Sequence, residues 1–189
     1  MTARHGAAVL SEVFGPAPLL VVAYLAVGAY SSTLLLAAAV VTCMAVMPYA
    51  FTALLAHRGR VSDRFVSNRA QRVPVLIGTL ACVVVGLAIL MLAPGNTHGL
   101  IVMTVVMLSA LIAVTIVSLK WKISIHATIA SFVTGILVVL FGPFLLPVAV
   151  AICGSTCWAR FRLSQHSVAQ LLAGLVVGFV MATSFGVLL

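Results

Sequence analysis

A chain of 189 residues that is 64% hydrophobic and only 6% charged cannot be a soluble globular domain, in which about a quarter of the residues are charged. Its formal net charge of +8 sits in short loops between hydrocarbon-length segments, which argues against nucleic acid and for lipid headgroups and phosphates as partners. No polar stretch is long enough to bury a core of its own, so residues 1–189 read as a single, all-α integral membrane domain.

A bilayer core about 30 Å thick is crossed by about 20 helical residues, and that length counts the spans. The first residues are short and weakly basic, and Glu12, Pro16 and Pro18 do not make a cleavable signal, so the first apolar segment is expected to stay as a span. Residues 17–56 carry no charge over 40 positions, about 60 Å of helix, and read as two spans turning near Tyr30-Ser31-Ser32. Residues 73–119 are interrupted once, by Ala93-Pro94-Gly95-Asn96-Thr97-His98-Gly99, whose Pro-Gly-Asn chemistry marks a turn between two further spans. Residues 127–159 carry Gly142-Pro143 near their middle and read either as one broken span or as a hairpin of two short helices. Residues 168–189 cross once more.

Charge chooses between those alternatives. The ten basic residues fall in four places: Arg4; Arg58, Arg60, Arg64, Arg69 and Arg72; Lys120 and Lys122; and Arg160 with Arg162. If every apolar block is a two-span hairpin, all of them lie on one face and the opposite turns carry none. The positive-inside rule puts that face in the cytosol. The expectation is a polytopic helix bundle of about seven transmembrane helices, six being the alternative, in the plasma membrane with its C-terminus outside.

Three polar islands then share the basic face. In Asp63-Arg64-Phe65-Val66-Ser67-Asn68-Arg69-Ala70-Gln71-Arg72-Val73-Pro74, Arg69 and Arg72 stand at i, i+3 and suit a joint grip on one anion. In Lys120-Trp121-Lys122-Ile123-Ser124-Ile125-His126, Ser124 is a natural N-cap and the helix start behind it offers N–H groups to an oxyanion. His126 in that first turn suits proton donation to a leaving group. The third island, Arg160-Phe161-Arg162-Leu163-Ser164-Gln165-His166-Ser167-Val168-Ala169-Gln170, is the wrong chemistry for a lipid-facing segment. An imidazole at His166 can attack phosphorus once its tautomer is fixed, while Arg160 neutralises the transferring group.

These islands resemble the motifs of the type 2 phosphatidic acid phosphatase superfamily, lipid phosphatases that share a helical core with vanadium haloperoxidases. Its motifs are Lys-x6-Arg-Pro, Pro-Ser-Gly-His and Ser-Arg-x5-His-x3-Asp. The third reads here as Ala159-Arg160, five residues, His166, three residues, Gln170, followed by Leu171-Leu172-Ala173-Gly174. Arginine and histidine match; the flanking serine and the terminal aspartate do not. The second reads Ile123-Ser124-Ile125-His126, with serine and histidine kept, and the first is approximated by Arg72-Val73-Pro74, with Phe65 at the lysine position and Lys122 as another substitute. The likeness covers about residues 63–174 and is strongest in its last third.

The resemblance implies a metal-independent lipid-phosphate or prenyl-(di)phosphate phosphatase without cofactor. His166 would be the nucleophile forming a phosphohistidine, His126 the general acid and Arg160 the catalytic phosphate binder. Ser124, Arg69, Arg72 and Lys122 would bind substrate, and Gln170 would orient the nucleophile. The only carboxylates are Glu12 and Asp63, too few for a two-metal site. A neutral amide in place of the orienting aspartate can still accept from the ring N–H but cannot stabilise an imidazolium. The alternative is therefore a catalytically impaired member that binds, transports or scaffolds lipid phosphates.

Other features read as packing. Cys43, Cys82, Cys153 and Cys157 are expected to be small buried hydrophobes. Met44, Met47, Met103 and Met107 are expected between helices. Gly174 and Gly178 form a small-xxx-small pair suited to close helix packing inside the bundle or between the subunits of a homo-oligomer.

Overall fold

The computed structural model describes residues 2–61 and 71–189, except for the side chains of Thr2 and Arg72. Every regular element among the described residues is helical, as a backbone in hydrocarbon requires, because each N–H and C=O must be satisfied within its own segment. In chain order these are α1 (Thr2–Val13), α2 (Pro16–Tyr30), α3 (Leu34–Val41), a π turn (Thr42–Val46), α4 (Met47–His57), α5 (Arg72–Leu92), α6 (His98–Ser118), α7 (Ile125–Phe141), a short 3-10 turn (Pro143–Leu145), α8 (Leu146–Arg162) and α9 (Val168–Leu188).

Six stretches of the described chain are long and apolar enough to cross a membrane: Ala3–Tyr30, Leu34–His57, Val73–Leu92, His98–Ser118, Pro143–Arg162 and Val168–Leu188. The seventh expected span coincides with α7, which is apolar but only 17 residues long, about 25 Å at 1.5 Å per residue. The expected turns are present. Ser32, at φ 57, turns α2 into α3; Gly95, at φ 98, separates α5 from α6; and Gly142, at φ 108, ends α7. Ahead of Ala17, where the uncharged run begins, the chain is already helical as α1. The break falls at Phe14-Gly15, because Pro16 has no N–H to continue the ladder and is favoured as the first residue of a new helix.

The described chain forms two compact units, residues 27–122 and residues 1–26 with 123–189. In the first of these, Gly28 brings the end of α2 against Ala37 of α3, where an added Cβ would lie 2.3 Å from the alanine methyl. The α3 ladder slips into the π turn just ahead of Pro48: the Met47 N–H reaches Thr42 O, five residues back, and Pro48 has no N–H to restore the regular spacing. Helix α5 runs antiparallel alongside, with Gly86 against Cys43 and Met44 and Gly78 against Phe51. Met44, Met103 and Met107 are buried as expected, whereas Met47 is 49% exposed and does not pack between helices here. All four cysteines are free thiols of intermediate exposure, which corrects the expectation that they are buried.

The second unit is organised by α7 and α9. An added Cβ at Gly174 would meet Ser124 O at 2.6 Å, and one at Gly178 would meet Thr128 O at 2.2 Å; further along, Gly135 meets Ala182 and Gly186 meets Val139. Partner positions rise together along both helices, so the two run parallel, with α8 returning between them in sequence. Their backbones touch because these glycines leave room, and Ser131 Oγ donates to Leu175 O across the seam at 2.9 Å. The Gly174 and Gly178 pair therefore packs inside the chain rather than against another subunit.

Candidate active site

Parallel α7 and α9 start at the same end of their unit, and that is where the polar side chains collect. Ser124 is the N-cap of α7, its Oγ accepting from the Ala127 N–H at 3.4 Å and its carbonyl from the Thr128 N–H at 3.0 Å. Its own N–H donates to Gln170 O in the first turn of α9, at 3.3 Å. One backbone bond thus ties the Ser124-Ile125-His126 segment to the His166-to-Gln170 segment. Ser124, His126 and His166 are 0%, 4% and 7% exposed, and His126 Nε2 is fully buried.

Helix α9 opens with a reciprocal capping box. Ser167 Oγ accepts from the Gln170 N–H, while Gln170 Oε1 accepts from the Ser167 N–H at 3.1 Å, the arrangement that favours Ser followed three residues later by Gln. The same Oε1 lies 3.3 Å from His166 Nδ1. A backbone N–H can only donate, so the amide atom facing Ser167 must be the oxygen, and an amide oxygen can only accept. Nδ1 therefore carries a proton, and in the neutral ring the lone pair is on Nε2. Gln170 thus lies beside the His166 ring.

Arg160 ends α8 on its buried side, 2% exposed, and its Nη1 donates to Ser11 Oγ of α1 at 2.9 Å. Burying a guanidinium is costly unless its donors are met, and Ser11, itself 1% exposed, meets one of them. Sequence reasoning does not find Ser11: a serine in the mixed-polarity helix α1 carries no motif, and only the packing of α1 on α8 gives it a role. Ser11→Ala is expected to lower stability by about 1–3 kcal/mol, because it strands a buried charged donor. Thermal unfolding in detergent checks this, with Ser11→Thr, which keeps the hydroxyl, as the conservative comparison.

Beyond Arg160 the chain turns back on itself. The Gln165 N–H donates to Arg160 O and the Ser164 N–H to Phe161 O, with Ser164 at φ 54; these are the paired bonds of a Schellman cap, built on serine where glycine is usual. The fold-back leaves an open cavity of about 460 Å³ lined by Phe161, Arg162, Ser164, His166 and Ser167.

The structure thus brings together Ser124, His126, His166 and Gln170 at one end of α7 and α9, with Arg160 at the adjoining end of α8. Arg69 lies outside the described residues, and Arg72 is described only as the backbone opening α5 in the other unit. Lys122, partly exposed, is the last residue of that unit. Among the described residues no group of three His, Cys, Asp or Glu is placed to hold a metal ion.

Helix content and apolar length define the class as a polytopic α-helical membrane protein. Comparison with protein-family models, curated proteins and solved structures finds no match for the chain.

Proposed function

We propose that this protein is a lipid-phosphate or prenyl-(di)phosphate phosphatase of the type 2 phosphatidic acid phosphatase kind, working through a phosphohistidine at His166. The observation that carries the reading is the single oxygen of Gln170 that accepts from both the Ser167 N–H and His166 Nδ1. It leaves the Nε2 lone pair as the nucleophile. In the proposed reaction Nε2 attacks phosphorus, the bond from phosphorus to the leaving oxygen breaks, and His126 delivers a proton to that oxygen. Arg160, buried on the α1 side of α8, contributes positive potential to the phosphoryl oxygens from outside the cavity lining, and the Ser124 hydroxyl, whose oxygen serves as the cap acceptor, adds its own proton as a donor. Water then hydrolyses the phosphohistidine, with His126 as base. The α7–α9 end is proposed to lie at the cytosolic face, α7 completing seven spans, with the lipid tail reaching the site laterally between helices.

One observation favours a second reading, a binder that no longer turns over: the acceptor at Nδ1 is a neutral amide, which orients the ring without stabilising its protonated form. The two readings part in one experiment. Purified protein in detergent with chelator present is expected to release phosphate from at least one of phosphatidate, lysophosphatidate, phosphatidylglycerol phosphate or a prenyl mono- or diphosphate. Thermal stabilisation by one of these lipids with no release from any would overturn the enzyme reading and leave the binder.

A further inference from the structure

We propose that the cavity beside His166 is a second anion subsite, taking the non-scissile phosphate of a lipid diphosphate, so that diphosphates are the preferred substrates. This inference rests on the phosphatase reading and adds the class of substrate.

Arg160 and Arg162 are two residues apart on α8 and so project to nearly opposite sides of the helix. Arg160 is 2% exposed and hydrogen-bonded to Ser11, whereas Arg162 is exposed and lies on the cavity wall with Ser164, His166 and Ser167. An arginine that only anchors a span at the headgroup layer has no need of a shared cavity with a buried imidazole. Here the Schellman turn folds the chain so that a guanidinium, two hydroxyl-bearing residues and the proposed nucleophile border one open cavity, and among the described residues no carboxylate lines it.

The turn is also built against local preference. Ser164 adopts the left-handed conformation at φ 54, where glycine carries no Cβ penalty and other residues do. Glycine would make the same turn but remove a hydroxyl from the cavity wall. Phe161, 54% exposed, also lines the cavity and suits the start of a lipid tail.

The chemistry of the step explains what Arg162 would gain. As the bond from Nε2 to the terminal phosphorus forms, the bond from that phosphorus to the bridging oxygen breaks, and the electron pair goes to the departing lipid monophosphate. Negative charge grows on the non-scissile phosphate, and an arginine beside it stabilises that charge as it develops. A lipid monophosphate leaves as an alcohol and places no second phosphate there. Water completes the cycle at the phosphohistidine, giving lipid monophosphate and inorganic phosphate.

The test compares wild type and Arg162→Ala on a prenyl diphosphate and the matching prenyl monophosphate. The diphosphate-to-monophosphate ratio of kcat/KM is expected to fall about tenfold or more, the scale of losing one charge-assisted contact to a leaving phosphate. An unchanged ratio would overturn the subsite while leaving the phosphatase standing. Thermal unfolding with inorganic pyrophosphate and with orthophosphate supplies an arm that needs no turnover. If wild type hydrolyses neither lipid, stabilisation by pyrophosphate beyond that by orthophosphate, lost in Arg162→Ala, upholds the anion subsite and rejects the phosphatase. Equal shifts from the two anions in both proteins would then overturn the subsite as well. A pyrophosphate preference without any prenyl diphosphate preference overturns the lipid assignment.

Discussion

Alanine at His166 is expected to abolish phosphate release from whichever lipid phosphate the wild-type protein hydrolyses, a loss of about four orders of magnitude or more, on the scale of removing a covalent nucleophile. The size follows from the site's construction. No second imidazole stands on the α8–α9 connection, and His126 starts a different helix. Under the proposed mechanism Arg160 and Ser124 would still favour an anion in the variant, but nothing would form the bond to phosphorus. His166 is buried and bonded to Gln170, so the variant is also expected to lose about 1–3 kcal/mol of stability, and release is compared at a temperature where both proteins are folded. Two readouts check the assignment together: phosphate release, and acid-labile labelling of the protein by a phosphate-labelled substrate, present in wild type and absent in the variant. Turnover retained in His166→Ala would sink the mechanism.

The largest structural effect is expected at Gly178. A methyl there would lie 2.2 Å from Thr128 O and 2.9 Å from Phe132 N, and backbone atoms of a neighbouring helix do not yield as a flexible side chain does. Gly178→Ala is expected to destabilise by about 1–3 kcal/mol and Gly178→Val by more, since overpacking forces the two helices apart. The comparison is Gly154 in α8, where an added Cβ meets nothing within 4 Å. Alanine there is expected to be neutral or to stabilise by up to about 1 kcal/mol, through helix propensity alone. Thermal unfolding of the two variants in the same detergent separates these outcomes. Because the α7–α9 seam also holds Ser124 against Gln170, Gly178→Ala is expected to lower turnover as well, while Gly154→Ala leaves it unchanged.

Much of the helix order is legible in the sequence because length and turn chemistry act locally. An uncharged run of about 60 Å has to fold back, and Ser31-Ser32, Pro94-Gly95 and Gly142-Pro143 offer cheap corners near the right places. The hairpin topology sets Ser124 and His126 on one face with His166, the motif resemblance adds Gln170, and a bond from the Ser124 N–H to Gln170 O joins the two segments. What local chemistry does not reveal is packing. Ser11 looks like any small polar residue in a helix until α8 lies against it. Met47 repeats at the spacing of the buried methionines, yet the π turn immediately before it rotates the ladder and leaves it exposed. The direction of the α7–α9 pair, and hence which glycine faces which backbone carbonyl, depends on contacts about 50 residues apart in sequence.

The oxygen that closes the capping box of α9 is also the acceptor that holds the His166 proton on Nδ1. Fraying of the first turn of α9 therefore also removes the Gln170 contact from the imidazole, coupling a local helix opening to the orientation of the ring. Terminal turns are the least protected part of any helix, opening at a small fraction of the global unfolding free energy. In the proposed mechanism, a local opening equilibrium would set the fraction of molecules competent to attack phosphorus, and a ligand that draws the α8–α9 connection against the start of α9 would raise that fraction without touching the imidazole.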